Sequence, residues 1–133
     1  HDQQGVTALH DATEGGVLGG LIELARACGH DLAVERARIP LSPEARAACE
    51  VFGTDPYWTL SEGTLIVTAR PAHAAAVLAA LDAAGIPAAE VGEVVPGAGA
   101  LRLAEPGSAR VLTEPQADPY WPAYQRALDE GWT

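Results

Sequence analysis

The sequence contains no lysine and no methionine, and its eight basic residues, all arginines, face eighteen acidic ones. The resulting formal net charge of −10 argues against binding to a nucleic-acid backbone, which requires a basic surface. The absence of lysine also excludes a Walker phosphate-binding loop, in which a lysine contacts the phosphates. An acidic domain that handles phosphates needs a divalent cation or a basic partner, so we expect any phosphate site here to depend on one of the two.

Cysteine and long apolar runs are scarce as well. The two cysteines, Cys28 and Cys49, are too few for a disulfide scaffold, and no Cys/His spacing suits zinc. Both fall at apolar positions of helical patterns, which predicts reduced and buried thiols. No apolar run approaches the length needed to cross a membrane, and no signal segment precedes the first strand. We therefore expect a cytoplasmic protein that binds neither membrane nor nucleic acid.

The chain has 133 residues, a length that suits one domain with its own hydrophobic core. It begins at His1 and contains no methionine, so we expect it to be a fragment of a longer protein. The sequence predicts a leader over residues 1–5, one domain over residues 6–112, and a tail over residues 113–133. The tail carries Pro, Trp and Tyr residues and is expected to pack on the domain.

The hydrophobic pattern predicts the order β-α-β-α-β-α-β followed by a terminal hairpin. Residues 64–69 are nearly all apolar or β-branched, which predicts a central strand with a neighbour on each side. The helix that begins at Pro43 is expected to bury Ala45, Ala48, Cys49 and Phe52. The order predicts an α/β fold of the α+β type, a ferredoxin-like two-layer sandwich. Its mixed or antiparallel sheet would have about four to six strands, with helices packed on one face.

The segment from His10 to Val17 joins the first strand to the first helix and contains two adjacent glycines. The first turn of a helix has unpaired N–H groups and a partial positive charge, and glycines let a phosphate approach that backbone. Asp11 and Thr13 add a carboxylate and a hydroxyl, so the segment predicts an anion site. Two structural alternatives stay open: the two polar side chains could cap the helix, and the glycines could permit tight packing of helix on strand.

The motif His10-Asp11-x-Thr13-x-Gly15-Gly16-Val17 resembles the second domain of the aminoimidazole ribonucleotide (AIR) synthase superfamily. The superfamily also includes formylglycinamide ribonucleotide amidotransferase, selenophosphate synthetase, thiamine-monophosphate kinase and the hydrogenase-maturation dehydratase. Two further segments are similar to the hydrogenase-maturation branch, namely Leu60-Ser61-Glu62-Gly63-Thr64-Leu65 and the stretch from Ala84 to Val94. The resemblance covers roughly residues 5 to 105 and identifies the chain as a C-terminal domain of an AIR synthase-related protein.

The resemblance implies an ATP-dependent enzyme that binds ATP and Mg²⁺ in its full-length form, with no ligand expected on the isolated domain. It implies a missing N-terminal ATP-binding domain and a small-molecule substrate that phosphoryl transfer activates at an interdomain cleft. Asp11 and Glu62 would be catalytic, and Asp11 would also bind the metal. The nucleotide contacts would come from His10, Thr13, Gly15 and Gly16. The isolated fragment is expected to be inactive.

Three points stay open beside this interpretation. His10 is equally explained as a half-exposed strand end, and Glu62 as a solvated turn residue. Hydrogenase-maturation members end in a cysteine that receives a carbamoyl group, whereas this chain ends Glu130-Gly131-Trp132-Thr133, so the resemblance does not extend to that specific chemistry. The rival function is a non-catalytic ferredoxin-like module that binds a small ligand or forms a homodimer.

Overall fold

The computed structural model describes residues 5–132, so the predicted leader, apart from Gly5, lies outside the described residues. The elements are β1 (Val6–Ala12), α1 (Gly16–Cys28), β2 (Asp31–Glu35), a short 3-10 helix (Arg36–Arg38), α2 (Pro43–Phe52), β3 (Thr64–Ala69), α3 (Pro71–Ala83), β4 (Gly92–Val95), β5 (Leu101–Glu105), β6 (Ser108–Leu112) and α4 (Tyr120–Asp129). The strands and the first three α-helices follow the predicted order, and the 3-10 helix and α4 add to it. Within this stretch no helix has both the length and the apolar character that a membrane span requires.

The strands of the described chain form two sheets. β1 and β3 pair antiparallel as a two-stranded ribbon, and the order β4-β2-β5-β6 makes a four-stranded sheet. In the larger sheet β2 runs antiparallel to β4 and parallel to β5, and β5 and β6 form an antiparallel hairpin. The predicted two-layer α+β sandwich is confirmed, with its strands divided between two sheets instead of sharing one.

The helix α1 joins the two sheets and forms the centre of the core. Its Leu18 and Ile22 are fully buried and pack in one cluster with Leu101 and Leu103 of β5. The other buried members of that cluster are Leu21, Leu24, Ala25, Leu32, Val34, Ile39 and Trp58. Because the glycine-containing segment leads directly into α1, this packing fixes where that segment lies.

The predicted central position of β3 is wrong. Within residues 5–132, β3 pairs with β1 alone. Ile66 points toward α1, because a Cβ placed on Gly20 would lie 2.9 Å from its Cδ1. Leu65 faces the other side of the ribbon and is 56% exposed. An apolar, β-branched strand tends to have its faces covered, but its sequence does not specify how many strands of the same chain lie beside it.

The predicted burial along α2 and at the cysteines is also wrong in part. No residue of α2 is buried, and Phe52 is 39% exposed. Both thiols are free, as expected, but Cys28 is exposed and Cys49 is half-buried. Helical spacing collects apolar side chains on one face without specifying whether another element covers that face. Cys28 is the last residue of α1 and lies beyond the part of the helix that the core covers.

Asp31 fixes the turn between β4 and β5, a role that the sequence analysis missed. Its Oδ1 accepts the N–H groups of Ala98, Gly99 and Ala100 at 2.9, 3.1 and 2.9 Å, and Arg102 donates to its Oδ2 at 2.7 Å. The hydrogen bond from Ala100, followed by the one from Arg102, lowers the pKa of Asp31 to about 2. Both donors stabilise the ionised carboxylate, so the turn is tied to β2 by a charge.

We expect Asp31→Asn to lower the melting temperature by several degrees at neutral pH, because the amide accepts fewer of these hydrogen bonds. The folded pKa of about 2 lies below the ordinary value of 3.8, so the stabilisation is present above pH 3.8 and is lost as the pH falls toward 2. Thermal melts of both proteins should therefore converge over that window. A difference that persists unchanged down to pH 2 would contradict this role.

Candidate functional site

The glycine loop, defined as residues 13–16, connects β1 to α1. Gly15 and Gly16 have φ angles of 78° and 63°, in the left-handed region that favours glycine. Gly15 is the N-cap of α1 and no side chain caps the helix, while the Gly16 N–H donates to the Thr13 carbonyl at 3.1 Å. The alternative in which Asp11 or Thr13 caps this helix is therefore wrong, and Asp11 belongs to β1.

The 55–63 loop, which connects α2 to β3, packs against the glycine loop. The Tyr57 carbonyl accepts the Leu18 N–H at 3.0 Å and so satisfies one of the donors that the first turn of α1 leaves unpaired. A Cβ at Gly16 would lie 2.6 Å from the carbonyl oxygens of both Tyr57 and Thr59. Gly16 thus permits a close approach of two backbone segments, a packing role of the kind that the sequence left open.

A network of ion pairs around Arg36 anchors the 55–63 loop. The Arg36 guanidinium lies 2.7 Å from Asp55 Oδ2 and 2.6 Å from Glu105 Oε1, and it sits 4.8 Å from the centre of the Tyr57 ring. The hydrogen bond from Arg36 holds the pKa of Glu105 below its ordinary value. The network connects the 55–63 loop to Glu105 at the end of β5. The loop that contacts Gly16 is therefore held both by this network and by its hydrogen bond to α1.

The ribbon register brings Asp11 and Glu62 to the same end of the sheet. Asp11 lies opposite Leu65 in the β1–β3 pairing, and the Ser61 N–H donates to the Thr13 carbonyl at 3.1 Å. The side chains of Asp11, Thr13 and Glu62 belong to exposed residues. The backbone at Asp11 and Glu62 therefore lies next to the glycine loop, which contains Thr13.

His10 lies on the face of β1 that packs on α1. Its Nε2 is 2.9 Å from Glu23 Oε2, and 33% of its side chain is exposed. A Cβ at Gly20 would come within 3.4 Å of its ring. Because successive side chains of a strand point to opposite faces, the ring of His10 and the carboxylate of Asp11 lie on opposite sides of the ribbon.

A carboxylate from the tail lies on the glycine loop. Asp118 Oδ2 accepts the Gly15 N–H at 2.8 Å, and its Oδ1 accepts the Tyr120 N–H at 2.8 Å. This places a negative charge at the N-terminus of α1, where unpaired donors and the helix dipole favour it. Asp118 was not among the predicted site residues, and its sequence signal is an Asp-Pro pair directly ahead of a helical pattern.

Two further contacts hold the tail against the domain. Glu114 Oε2 lies 2.9 Å from Arg26 Nη1 near the other end of α1, and Ala123 of α4 is buried. The tail therefore follows α1 from its last turn to its first. Both glycines of the loop are buried beneath this arrangement.

The carboxylates of Asp11 and Glu62 do not form a complete metal site within the described residues. No group of three His, Cys, Asp or Glu residues suited to a metal ion occurs within residues 5–132. Asp11 and Glu62 carry the hard oxygen ligands that Mg²⁺ takes, and Mg²⁺ completes an octahedron with water and phosphate oxygens. The donor chemistry therefore suits one or two positions of a Mg²⁺ site, and the other ligands would have to come from elsewhere.

The fold and the loop together define a member of a known α+β domain family. The family model described as AIR synthase related protein, C-terminal domain, matches residues 1–103. The chain belongs to this family, which confirms the resemblance seen in the sequence. Carbamoyl dehydratase HypE of Escherichia coli (strain K12) is 39% identical over 120 residues, which are 89% of this chain and 36% of that relative.

Solved structures give the same result. A crystal structure of E. coli HypE has a TM-score of 0.76 at 40% identity, with 89% of this chain and 37% of that chain covered. HypE in complex with ATP has a TM-score of 0.75 at 28% identity, with 86% and 37% covered. A HypE–HypF complex has a TM-score of 0.71 at 25% identity, with 83% and 37% covered. This chain thus spans little more than a third of the length of these relatives and is similar to the C-terminal domain of HypE.

Proposed function

We propose that this chain is the C-terminal domain of an ATP-dependent cytoplasmic enzyme. Its glycine loop would form one wall of a cleft for ATP and a small-molecule substrate, and an N-terminal domain would form the other. Membership of the family and the structure of HypE in complex with ATP support this proposal. The free thiols of Cys28 and Cys49 fit a reducing compartment.

The observation that carries the proposal is the carboxylate on Gly15. An anionic oxygen accepts the loop N–H at 2.8 Å, and a phosphate oxygen makes the same kind of charge-assisted hydrogen bond at a helix N-terminus. One N–H group cannot serve both anions with good geometry. A phosphate bound to Gly15 would therefore take the position of the Asp118 carboxylate.

The other residues would have the following roles. The Thr13 hydroxyl would contact the phosphate, and Gly16 would keep the loop closed against its neighbour. Asp11 and Glu62 would act as the catalytic carboxylates, with Asp11 also holding Mg²⁺, which neutralises phosphate charge when bound. The N-terminal domain would supply the remaining metal ligands. His10 would contact the nucleotide from the α1 side through the exposed part of its ring.

Asp11→Asn in the full-length protein tests this assignment. We expect ATP-dependent turnover to fall by about 100-fold, because the amide keeps the shape of the side chain but removes its charge. The melting temperature should stay within about 1 °C, since Asp11 is exposed. Asp82→Asn, at another exposed carboxylate on α3, is the control and should leave both properties unchanged. Unaltered turnover in Asp11→Asn, or a folding defect with normal turnover per folded molecule, would remove Asp11 from the site.

One observation favours the rival, a non-catalytic dimerisation module. Leu9 and Leu65 of the ribbon are 54% and 56% exposed, and a second copy could cover them. The net charge of −10 on each copy opposes such an association through like-charge repulsion. A full-length protein that dimerises through this face and binds no ATP would support the rival over the enzyme.

A further inference from the structure

The 55–63 loop contacts the backbone on both sides of Gly15. On one side the Ser61 N–H donates to the Thr13 carbonyl at 3.1 Å, and on the other the Tyr57 carbonyl accepts the Leu18 N–H at 3.0 Å. These two hydrogen bonds hold the backbone before and after Gly15, and so they determine where its N–H group points. The orientation of the proposed phosphate donor therefore depends on the position of the 55–63 loop.

The first half of this loop is a compact turn built on Asp55. The carboxylate Oδ1 of Asp55 accepts the Tyr57 N–H at 3.0 Å, and its carbonyl accepts the N–H groups of Trp58 and Thr59 at 3.1 and 3.0 Å. The Thr59 hydroxyl donates to the same carbonyl at 2.7 Å. Because these hydrogen bonds link the turn internally, a group that positions the Asp55 carboxylate also positions the Tyr57 carbonyl that bonds to α1.

Arg36 positions this carboxylate. Its guanidinium bridges Asp55 Oδ2 at 2.7 Å and Glu105 Oε1 at 2.6 Å through two different nitrogen atoms, and only 26% of its side chain is exposed. A planar guanidinium presents its donors in fixed directions, a geometry that a lysine ammonium lacks. Without this cation Asp55 and Glu105 would be two like charges in a partly buried environment, and their repulsion would move the loop away from β5.

We infer that Arg36 is a positioning residue for the proposed phosphate site. This inference rests on the proposed function and adds to it a residue outside the glycine loop. Arg36 holds Asp55, and the turn built on Asp55 presents the Tyr57 carbonyl to α1. That contact keeps the Gly15 N–H directed at the phosphate. Arg36 acts through the loop, because its two terminal nitrogen atoms are both engaged by carboxylates.

Arg36→Gln and its matched control Arg38→Gln test the inference in the full-length protein. Both arginines belong to the same 3-10 helix, and both changes remove one positive charge. Arg38 lies 3.6 Å from Glu35, and its side chain is 46% exposed, so its replacement leaves the 55–63 loop in place. Trp58 of the loop is buried in the core, so we expect Arg36→Gln to fold. Arg36→Lys is a milder variant that keeps the charge and loses the planar geometry.

Two properties are measured for each variant at a temperature at which its melting curve shows it folded. Hydrogen–deuterium exchange follows the peptide that contains the first turn of α1, where the Leu18 N–H bonds to the loop. Calorimetry gives the affinity for a non-hydrolysable ATP analogue with Mg²⁺. We expect Arg36→Gln to exchange faster in this peptide and to bind the analogue about tenfold more weakly. Arg36→Lys should lie between this variant and the wild type, and Arg38→Gln should match the wild type in both properties.

Unchanged exchange in Arg36→Gln would overturn the inference. Faster exchange with unchanged affinity would also overturn it, because Arg36 would then have a structural role alone. An equal fall in affinity in Arg38→Gln would do the same, since the lost charge would then be the cause. Gly15→Val is measured beside these variants. Unchanged binding by Gly15→Val would reject the phosphate contact and this inference with it, whereas weakened binding by Gly15→Val with unchanged binding by Arg36→Gln would reject only the role of Arg36.

Discussion

Replacing Gly16 with alanine is expected to lower the free energy of unfolding by about 3 kcal/mol. The added Cβ would lie 2.6 Å from the carbonyl oxygens of Tyr57 and Thr59, and both belong to backbone that cannot rotate away as a flexible side chain would. The φ angle of 63° at Gly16 adds the strain of a left-handed conformation. The 55–63 loop would have to separate from α1 to accommodate the methyl group.

Gly53→Ala is the matched control for this prediction. Gly53 has a φ angle of 64°, and a Cβ there would meet no atom within 4 Å, so alanine adds backbone strain alone, about 1 kcal/mol. Urea unfolding gives the free energy of unfolding of both variants. The difference between their losses is the cost of the close contact with the 55–63 loop, because the backbone strain is common to both. Equal losses of stability would show that the close approach of the 55–63 loop contributes nothing.

The sequence predicted the secondary structure well because its signals are local. The predicted start of α2 at Pro43 follows from capping preferences, and the structure has it, with Ser42 as the N-cap. The predicted place of β3 failed because strand pairing is a long-range property. A run of apolar residues indicates burial, and nothing in Thr64–Ala69 specifies β1 as its partner within the described chain.

In the candidate site, too, the features set by neighbouring residues could be predicted, and the contacts between distant residues could not. The strand, glycine loop and helix were evident in eight consecutive residues, and the register places Glu62 beside them. The Asp118 contact with Gly15 spans 103 positions of sequence, and the Asp31 contacts with residues 98–100 span nearly 70. Such hydrogen bonds depend on the assembled fold, so the residues around Asp118 and Asp31 do not specify these distant partners.

Replacing Gly15 with valine is expected to weaken nucleotide binding by the full-length protein by about 100-fold, or about 2.7 kcal/mol. The branched side chain would occupy the space through which a phosphate approaches the loop N–H. In this chain a Cβ at Gly15 would meet only Gly19 Cα, at 3.6 Å, so the first atom of the new side chain fits. The variant should therefore fold, with the strain of a left-handed valine as its main cost.

Gly53→Val carries the same kind of backbone strain outside the glycine loop, because Gly53 also has a left-handed φ and a Cβ there would meet no atom within 4 Å. It therefore separates a binding defect from a stability defect. Similar melting temperatures for the two valine variants would establish that they can be compared as folded proteins.

The affinity of the full-length protein for a non-hydrolysable ATP analogue with Mg²⁺, measured by titration calorimetry, tests the central claim most directly. The wild type and Gly53→Val should bind with the same dissociation constant, and Gly15→Val should bind about 100-fold more weakly. Equal binding by all three proteins would contradict the proposal that a phosphate of ATP contacts the glycine loop.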